Sequence, residues 1–245
     1  MRQWSALFIK DFKLTKTVFY IGLVINGLIA MLTLFLERAA DDSLLMFVPL
    51  ALAVAIHVIY VPLIVFVGLK SEGNLHLWLS NPQPAVMLLL SKVANGLLMV
   101  VISLVSLYGF SRLLIELNFS LIEPYWTDTW RAAWFIFPHV IWISLMLSTW
   151  MMVLWALYQY LKLRIGRWSW AAAAGAAILS EGLNELFKSS ALYRHLMDWG
   201  VTTYTFPTIF SDPIQTYAGG YAYDLVIIVG LFLLTAWLVD NKVEG

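Results

Sequence analysis

Six stretches of this chain are apolar for long enough to cross a bilayer, near Thr17–Leu36, Leu44–Leu69, Ala85–Ile115, Ala132–Tyr160, Trp168–Phe187 and Tyr221–Val239. A hydrocarbon core of about 30 Å takes about 20 residues of α-helix at 1.5 Å each. The apolar runs are too continuous for the alternation of a barrel, and open sheet is excluded in lipid, so the expected spans are helices. The pattern predicts an all-α integral membrane protein, with residues 1–245 forming one transmembrane domain of six spans. The third and fourth runs exceed the bilayer and are expected to tilt or project from it. Glu181, Asn184 and Glu185 invade the end of the fifth, and are expected to mark where it unwinds on the outer side.

Composition agrees. Apolar residues make up 61% of the chain and charged ones 12%, against about 45–50% and about 25% in soluble domains. That leaves too little polar material to coat a soluble surface. The formal net charge is zero, which gives no support to nucleic-acid binding. Cysteine is absent, and with it disulfides, thiolate metal sites and Cys nucleophiles. No cleavable signal peptide is expected, because the first apolar run is too long for an h-region and no A-x-A site follows it.

The basic residues orient the spans. With both termini inside, ten of the fifteen fall on the inner side, among them Lys10, Lys13, Lys16, Lys70, Lys92, Lys162, Arg164 and Arg167. The outer side keeps Arg38, Arg112, Arg131, Lys188 and Arg194. This is the asymmetry of the positive-inside rule, and it predicts a multi-pass cell-membrane protein with cytoplasmic termini. Trp126, Trp130 and Trp134 fit an outer aromatic belt, and Trp168, Trp170 and Trp237 an inner one.

Two segments outside the spans stand out. Residues 1–16 carry Trp4, Leu7, Phe8 and Phe12 on one stripe, with Lys10 and Lys13 opposite, as in a helix lying on the inner membrane face. Asp11 falls close to the apolar stripe and does not fit that scheme. The inner loop of residues 70–84 carries Leu75, Trp78 and Leu79 at i, i+3, i+4, punctuated by Gly73 and Pro82. Such a face either fits a protein groove or anchors the loop in the headgroups.

Asn26, His57, Asn95 and His139 interrupt the apolar runs. Polar groups there line a path or relay protons, or else tie helices together through hydrogen bonds. Arg112 and Glu116 are spaced to pair, as are Glu181 and Glu185 to share a face. The smooth run Ala171–Ala177, with Ala172 and Gly175, permits close helix approach, and Gly22, Gly27 and Ala30 provide a milder version in span one. Either a subunit interface or intrachain packing accounts for both. The dipeptide Gly-Lys never occurs, so there is no Walker A site, and H-E-x-x-H, G-x-S-x-G and G-x-G-x-x-G are missing as well. Four scattered histidines offer no zinc cluster. No nucleotide, metal or other cofactor is therefore expected in this chain.

The N-terminal sequence Leu7-Phe8-Ile9-Lys10-Asp11-Phe12-Lys13-Leu14, the six spans, and the segment Leu77-Trp78-Leu79-Ser80-Asn81-Pro82-Gln83-Pro84 running on to Leu90-Ser91-Lys92 resemble the permease subunits of ABC-2 type exporters. Within that superfamily the second segment looks like permeases of Gram-positive bacteria related to the phenol-soluble-modulin exporters. The resemblance implies two permeases, identical or closely homologous, paired with two soluble ATPases that bind ATP and Mg. It makes residues 1–14 an elbow helix and 72–82 a coupling helix docked on the ATPase. Lys70, Glu72, Leu75, Trp78, Leu79 and Asp11 would then meet that partner. Spans one and five would form the permease–permease interface through Gly22, Gly27, Ala30, Ala172 and Gly175. The outer region from Glu181 to Asp224 would hold short helices dipping back, although no large extracellular domain is present. The implied cargo is an amphipathic peptide, with lipid, glycan or drug as alternatives. Proton-driven secondary transport through His57 or His139 is a competing expectation, but no inverted repeat supports it. A membrane enzyme built on Glu181 and Glu185 lacks a nucleophile or metal ligands at fixed spacing.

Overall fold

A computed structural model of the chain describes residues 2–39, 47–74, 83–117, 126–205 and 212–243. The elements are α1 (Arg2–Ala39), α2 (Phe47–Ile56), a 3₁₀ turn (His57–Ile59), α3 (Tyr60–Asn74), α4 (Ala85–Leu117), α5 (Trp126–Ile165), a second 3₁₀ turn (Gly166–Trp168) and α6 (Ser169–Lys188). They continue with α7 (Ala191–Met197), β1 (Val201–Tyr204), β2 (Ile214–Tyr217), α8 (Ala218–Leu238) and a π-helical turn (Val239–Val243). Among the described residues, five helical stretches are long and apolar enough to cross a membrane: Gln3–Leu36, Val48–Glu72, Ala85–Leu113, Trp130–Lys188 and Ala218–Asn241. The protein is a multi-pass, predominantly helical membrane protein.

Three features differ from the sequence expectation. The elbow is not a separate element, because α1 runs without interruption from Arg2 through Lys16 to Ala39, 38 residues in all, about 57 Å of helix. Glu181, Asn184 and Glu185 remain helical within α6. Finally, the region expected on the outer side is not made of short helices alone. After α7 it forms an antiparallel two-stranded sheet, with Val201 opposite Tyr217 and Tyr204 opposite Ile214.

The helix breaks follow from backbone chemistry. Pro62 has no N–H, and its ring opposes the carbonyl of residue 58, so the helix between α2 and α3 tightens into the 3₁₀ turn His57–Ile59. Nearby, the Val61 N–H is satisfied from another helix, donating to Ser144 Oγ of α5 at 3.1 Å. Gly166 has φ +58, the left-handed conformation that ends a helix at low cost when no Cβ is present. It terminates α5 within the 59-residue apolar stretch Trp130–Lys188.

The chain divides into two units. The first takes α1, α2, α3 as far as Ser71, α4 from Leu90, and α5 as far as Ser148. Its core is Ala53, Val61, Ile64, Val65 and Leu69 against Met99, Val100, Leu104 and Leu107. α3 and α4 approach closely at Gly96, where a Cβ would lie 2.9 Å from Val61 Cγ1. The second takes the rest of α3, α4 and α5, together with α6, α7, the sheet and α8. There the Asp240 carboxylate accepts from the Ala85 N–H at 3.0 Å, placing negative charge at the start of α4 where the helix dipole favours it. Ser190 caps α7 by accepting from the Tyr193 N–H. Gly200 (φ +68) turns the chain into the sheet, and its carbonyl accepts from Ala218 N–H at 3.1 Å. The start of α8 is thereby fastened beside α7.

Candidate functional site

The apolar helices of the first unit enclose a seam of polar side chains. On α1 the buried face runs Leu7, Asp11, Thr15, Phe19, Asn26, Ala30 and Thr33, spaced as one helical stripe. On α4 it runs Ser91, Asn95, Met99, Ser103 and Leu107 at steps of four, with Lys92 beside it. Polar residues on a packed face need partners, and the two helices provide them to each other at two levels.

The first level joins the beginnings of α1 and α4. The Asp11 carboxylate accepts from Ser91 Oγ at 2.6 Å and from Lys92 Nζ at 2.8 Å, with both charged side chains only 2% exposed. The Lys92 stem passes over Gly68 of α3, whose missing side chain leaves room for Lys92 Cδ 3.6 Å from an ideal Cβ position. One turn along, Thr15 Oγ1 donates to the Asp11 carbonyl and accepts from Asn95 Nδ2, each at 2.9 Å. Asn95 Oδ1 is buried with no hydrogen-bond partner among the described residues. Burying two charges costs several kcal/mol per ion before their attraction offsets it, and well-packed apolar residues would hold two helices as firmly. The pair therefore specifies which positions meet more than it adds stability.

The second level lies four turns further along α1. Asn26 Nδ2 donates to Ser103 Oγ at 3.0 Å and to the Ser103 carbonyl at 3.1 Å. His57 Nε2 is 2.9 Å from the same Oγ, and its Nδ1 is 2.7 Å from the Ala53 carbonyl. A carbonyl can only accept, so Nδ1 carries the hydrogen, and Ser103 Oγ–H donates to Nε2. Asn26, Ser103, His57 and Ala53 thus form one directed chain linking α1, α4 and α2. Tyr60 stacks on the His57 ring at 5.5 Å, and its hydroxyl donates to the Phe19 carbonyl at 3.3 Å. Both ring nitrogens of His57 are engaged, Nε2 across to α4 and Nδ1 one turn back along its own segment. His139 bonds within its own helix, Nδ1 being 2.6 Å from the Phe135 carbonyl.

The residues expected to meet an ATPase differ in burial where the structure describes them. Leu75, Trp78 and Leu79 lie outside the described residues. Lys70 is exposed on the last part of α3. Asp11 and Glu72, expected on a contact surface, are each 2% exposed. Asp11 is turned inward because its helical position faces α4, where Lys92 neutralises it. The expected interface glycines and alanines also separate. Gly22 faces its own chain, since a Cβ there would come 2.5 Å from the Tyr60 hydroxyl oxygen, and Ala30 is buried. Gly27 and Gly175 have open space where a Cβ would project, and Ala172 is half-buried. Arg112 and Glu116 pair at 3.4 Å as their spacing predicts. Glu185 pairs with Lys188 at 2.6 Å, and the described residues contain no cluster of side chains fit to hold a metal ion.

Sequence reasoning singled out Asp11 as a misfit but not its partners Ser91 and Lys92, nor Ser103. The available signal was the four-residue spacing of Ser91, Asn95 and Ser103 within an apolar helix.

No family model matches the chain, and no solved structure matches it. Among curated proteins the chain is 25% identical over 255 aligned residues, covering the whole of both chains, to Uncharacterized protein YhcE of Bacillus subtilis (strain 168).

Proposed function

We propose that this protein is the permease subunit of an ATP-driven exporter of the ABC-2 type, moving amphipathic peptides outward with a separate ATPase. One observation carries the reading. The two segments on which the resemblance rests, Leu7–Leu14 and Leu77–Lys92, are joined by the buried contact of Asp11 with Ser91 and Lys92. A permease without its own nucleotide site needs a rigid route from the loop that meets the ATPase into its spans, and this contact supplies one. A push on the inner loop displaces the start of α4, and Lys92 passes it to α1.

In this reading the stretch Trp130–Lys188, at 59 residues, makes two crossings that reverse at Gly166, which brings the total to six with both termini cytoplasmic. Leu75, Trp78 and Leu79 dock on the ATPase with Lys70, while Asp11 transmits rather than contacts. Two permeases meet through Gly27, Ala172 and Gly175, the small positions with space beside them. The engagement of both His57 nitrogens disfavours proton-driven transport by that residue.

The test is reconstitution with a candidate ABC ATPase from the source cell, sought first among the neighbouring genes. The intact complex should release a loaded amphipathic peptide in an ATP-dependent manner, and Trp78→Ala should abolish ATPase co-purification or uncouple hydrolysis from efflux while the permease still folds. Equal efflux with and without the transporter removes peptide cargo, and failure of any ABC ATPase to associate removes the exporter itself. In the cysteine-free background, Ala172→Cys should crosslink between copies or to a homologous permease. Crosslinks confined to α2–α5 would place the interface elsewhere.

A further inference from the structure

Between Ala132 and Ser180 the only charged residues are Lys162, Arg164 and Arg167, gathered at the helix break between α5 and α6. The seven residues Lys162–Trp168 are all exposed. Among the described residues none of the three cations lies within ion-pair distance of a carboxylate. Their positive charge is therefore uncompensated by the described chain. The two guanidiniums are held by aromatic rings, Arg164 over Tyr160 at 4.8 Å and Arg167 over Trp168 at 5.8 Å. Stacking of this kind orients the planar group and leaves its N–H edge free to meet an acceptor.

Apolar side chains surround the cations. Leu163 is 72% exposed, Trp168 61% and Trp170 65%. In water such a surface would be unfavourable. At the boundary between headgroups and acyl chains, the indoles and leucine enter the apolar layer while the cations stay at phosphate level. Gly166, at φ +58, breaks the helix in the middle of this exposed run, so both sets of groups lie within a few residues of one another.

We propose that this turn is a binding site for anionic phospholipid, with Arg164 and Arg167 holding the headgroup phosphate, Lys162 adding charge, and Leu163, Trp168 and Trp170 packing on the acyl chains. Guanidinium recognises phosphate through paired N–H···O bonds. Each basic residue at an anionic membrane surface strengthens binding by about fivefold. The site serves to fix the depth of the α5–α6 break in the membrane surface, and it stands independently of the exporter reading because no ATPase or cargo takes part.

The test uses the full-length protein purified in detergent, with phosphatidylglycerol or phosphatidylcholine as the added lipid. Lipid retained on the protein is read by native mass spectrometry, and the thermal midpoint in parallel. The wild type should retain phosphatidylglycerol in preference to phosphatidylcholine and be stabilised more by it. R164Q/R167Q should weaken that preference by about 25-fold. R131Q/R194Q, which removes the same charge from two exposed positions elsewhere, should leave it intact. Equal retention of the two lipids by the wild type overturns the proposal, as does an unchanged preference in R164Q/R167Q or an equal loss in both variants. If R164Q/R167Q keeps its lipid preference but loses association with an ATPase, the basic turn is a protein contact instead.

Discussion

Replacing Asp11 by asparagine, or Lys92 by methionine, is expected to lower the unfolding free energy of the purified protein by about 3–5 kcal/mol. Each single change leaves the other charge buried, since both side chains are 2% exposed and 2.8 Å apart. An unpaired charge in that position retains its desolvation cost without the attraction that offset it. Asp11→Asn also weakens the acceptor for Ser91, so a second buried hydroxyl suffers. The double replacement Asp11→Leu/Lys92→Met removes both charges and should recover most of the loss, because an apolar pair of similar volume needs no compensation. Thermal unfolding in detergent reads all three variants. Near-identical midpoints for the wild type and both single variants would mean that the pair is solvated and the seam is not a dry contact. If the exporter reading holds, the double variant should fold well yet couple poorly, since apolar contacts slide where a charge-assisted hydrogen bond holds register.

Gly219→Ala is expected to cost about 3 kcal/mol, at the upper end of the usual overpacking range. A Cβ at this position would overlap the backbone carbonyl oxygen of Leu196 and lie 2.8 Å from its carbon. Backbone cannot rotate away as a long side chain can, so either α7 or the first turn of α8 must move. The Gly219 N–H bond to the Trp199 carbonyl, 3.2 Å long, would be lost with that movement. Gly220→Ala is the matched control. Its Cβ would meet the flexible Met197 side chain at 3.5 Å, an ordinary contact, and should cost less than about 1 kcal/mol. Hydrogen exchange and limited proteolysis across residues 191–217 would locate the effect. Equal behaviour of the two variants would show that α7 is not fastened to α8 as described.

The membrane-spanning character was legible because it depends on composition and run length alone. Asn26, His57 and Asn95 were also legible as groups that needed partners, since a polar side chain amid apolar ones is visible without any structure. The identity of the partners was not. Ser103 joins Asn26 to His57, yet serine is unremarkable in a long helix, and nothing local marks which serine meets which helix. Asp11 is the sharpest case. Its position close to the apolar stripe marked it only as a misfit, and its assignment to a contact surface came from resemblance, whereas in the structure it is buried against Lys92, 81 positions away. The run of small residues in span one divided for the same reason: Gly22 was needed by Tyr60 of its own chain, while Gly27 was not.

By itself the sequence determined that the chain is helical and membrane-embedded and that charge concentrates at a few turns, and the helix breaks at Pro62 and Gly166, although first seen in the structure, have equally local causes. Those properties arise from hydrocarbon length, missing N–H groups and backbone freedom, each contained within a few neighbouring residues. Tertiary structure decided the continuity of α1 through Lys16, the two-stranded sheet before α8, and the two-level polar seam between α1 and α4. These depend on residues far apart in the chain. In a low-dielectric interior the free energy of a polar group is set by the single atom opposite it, and only the packed helices determine which atom that is.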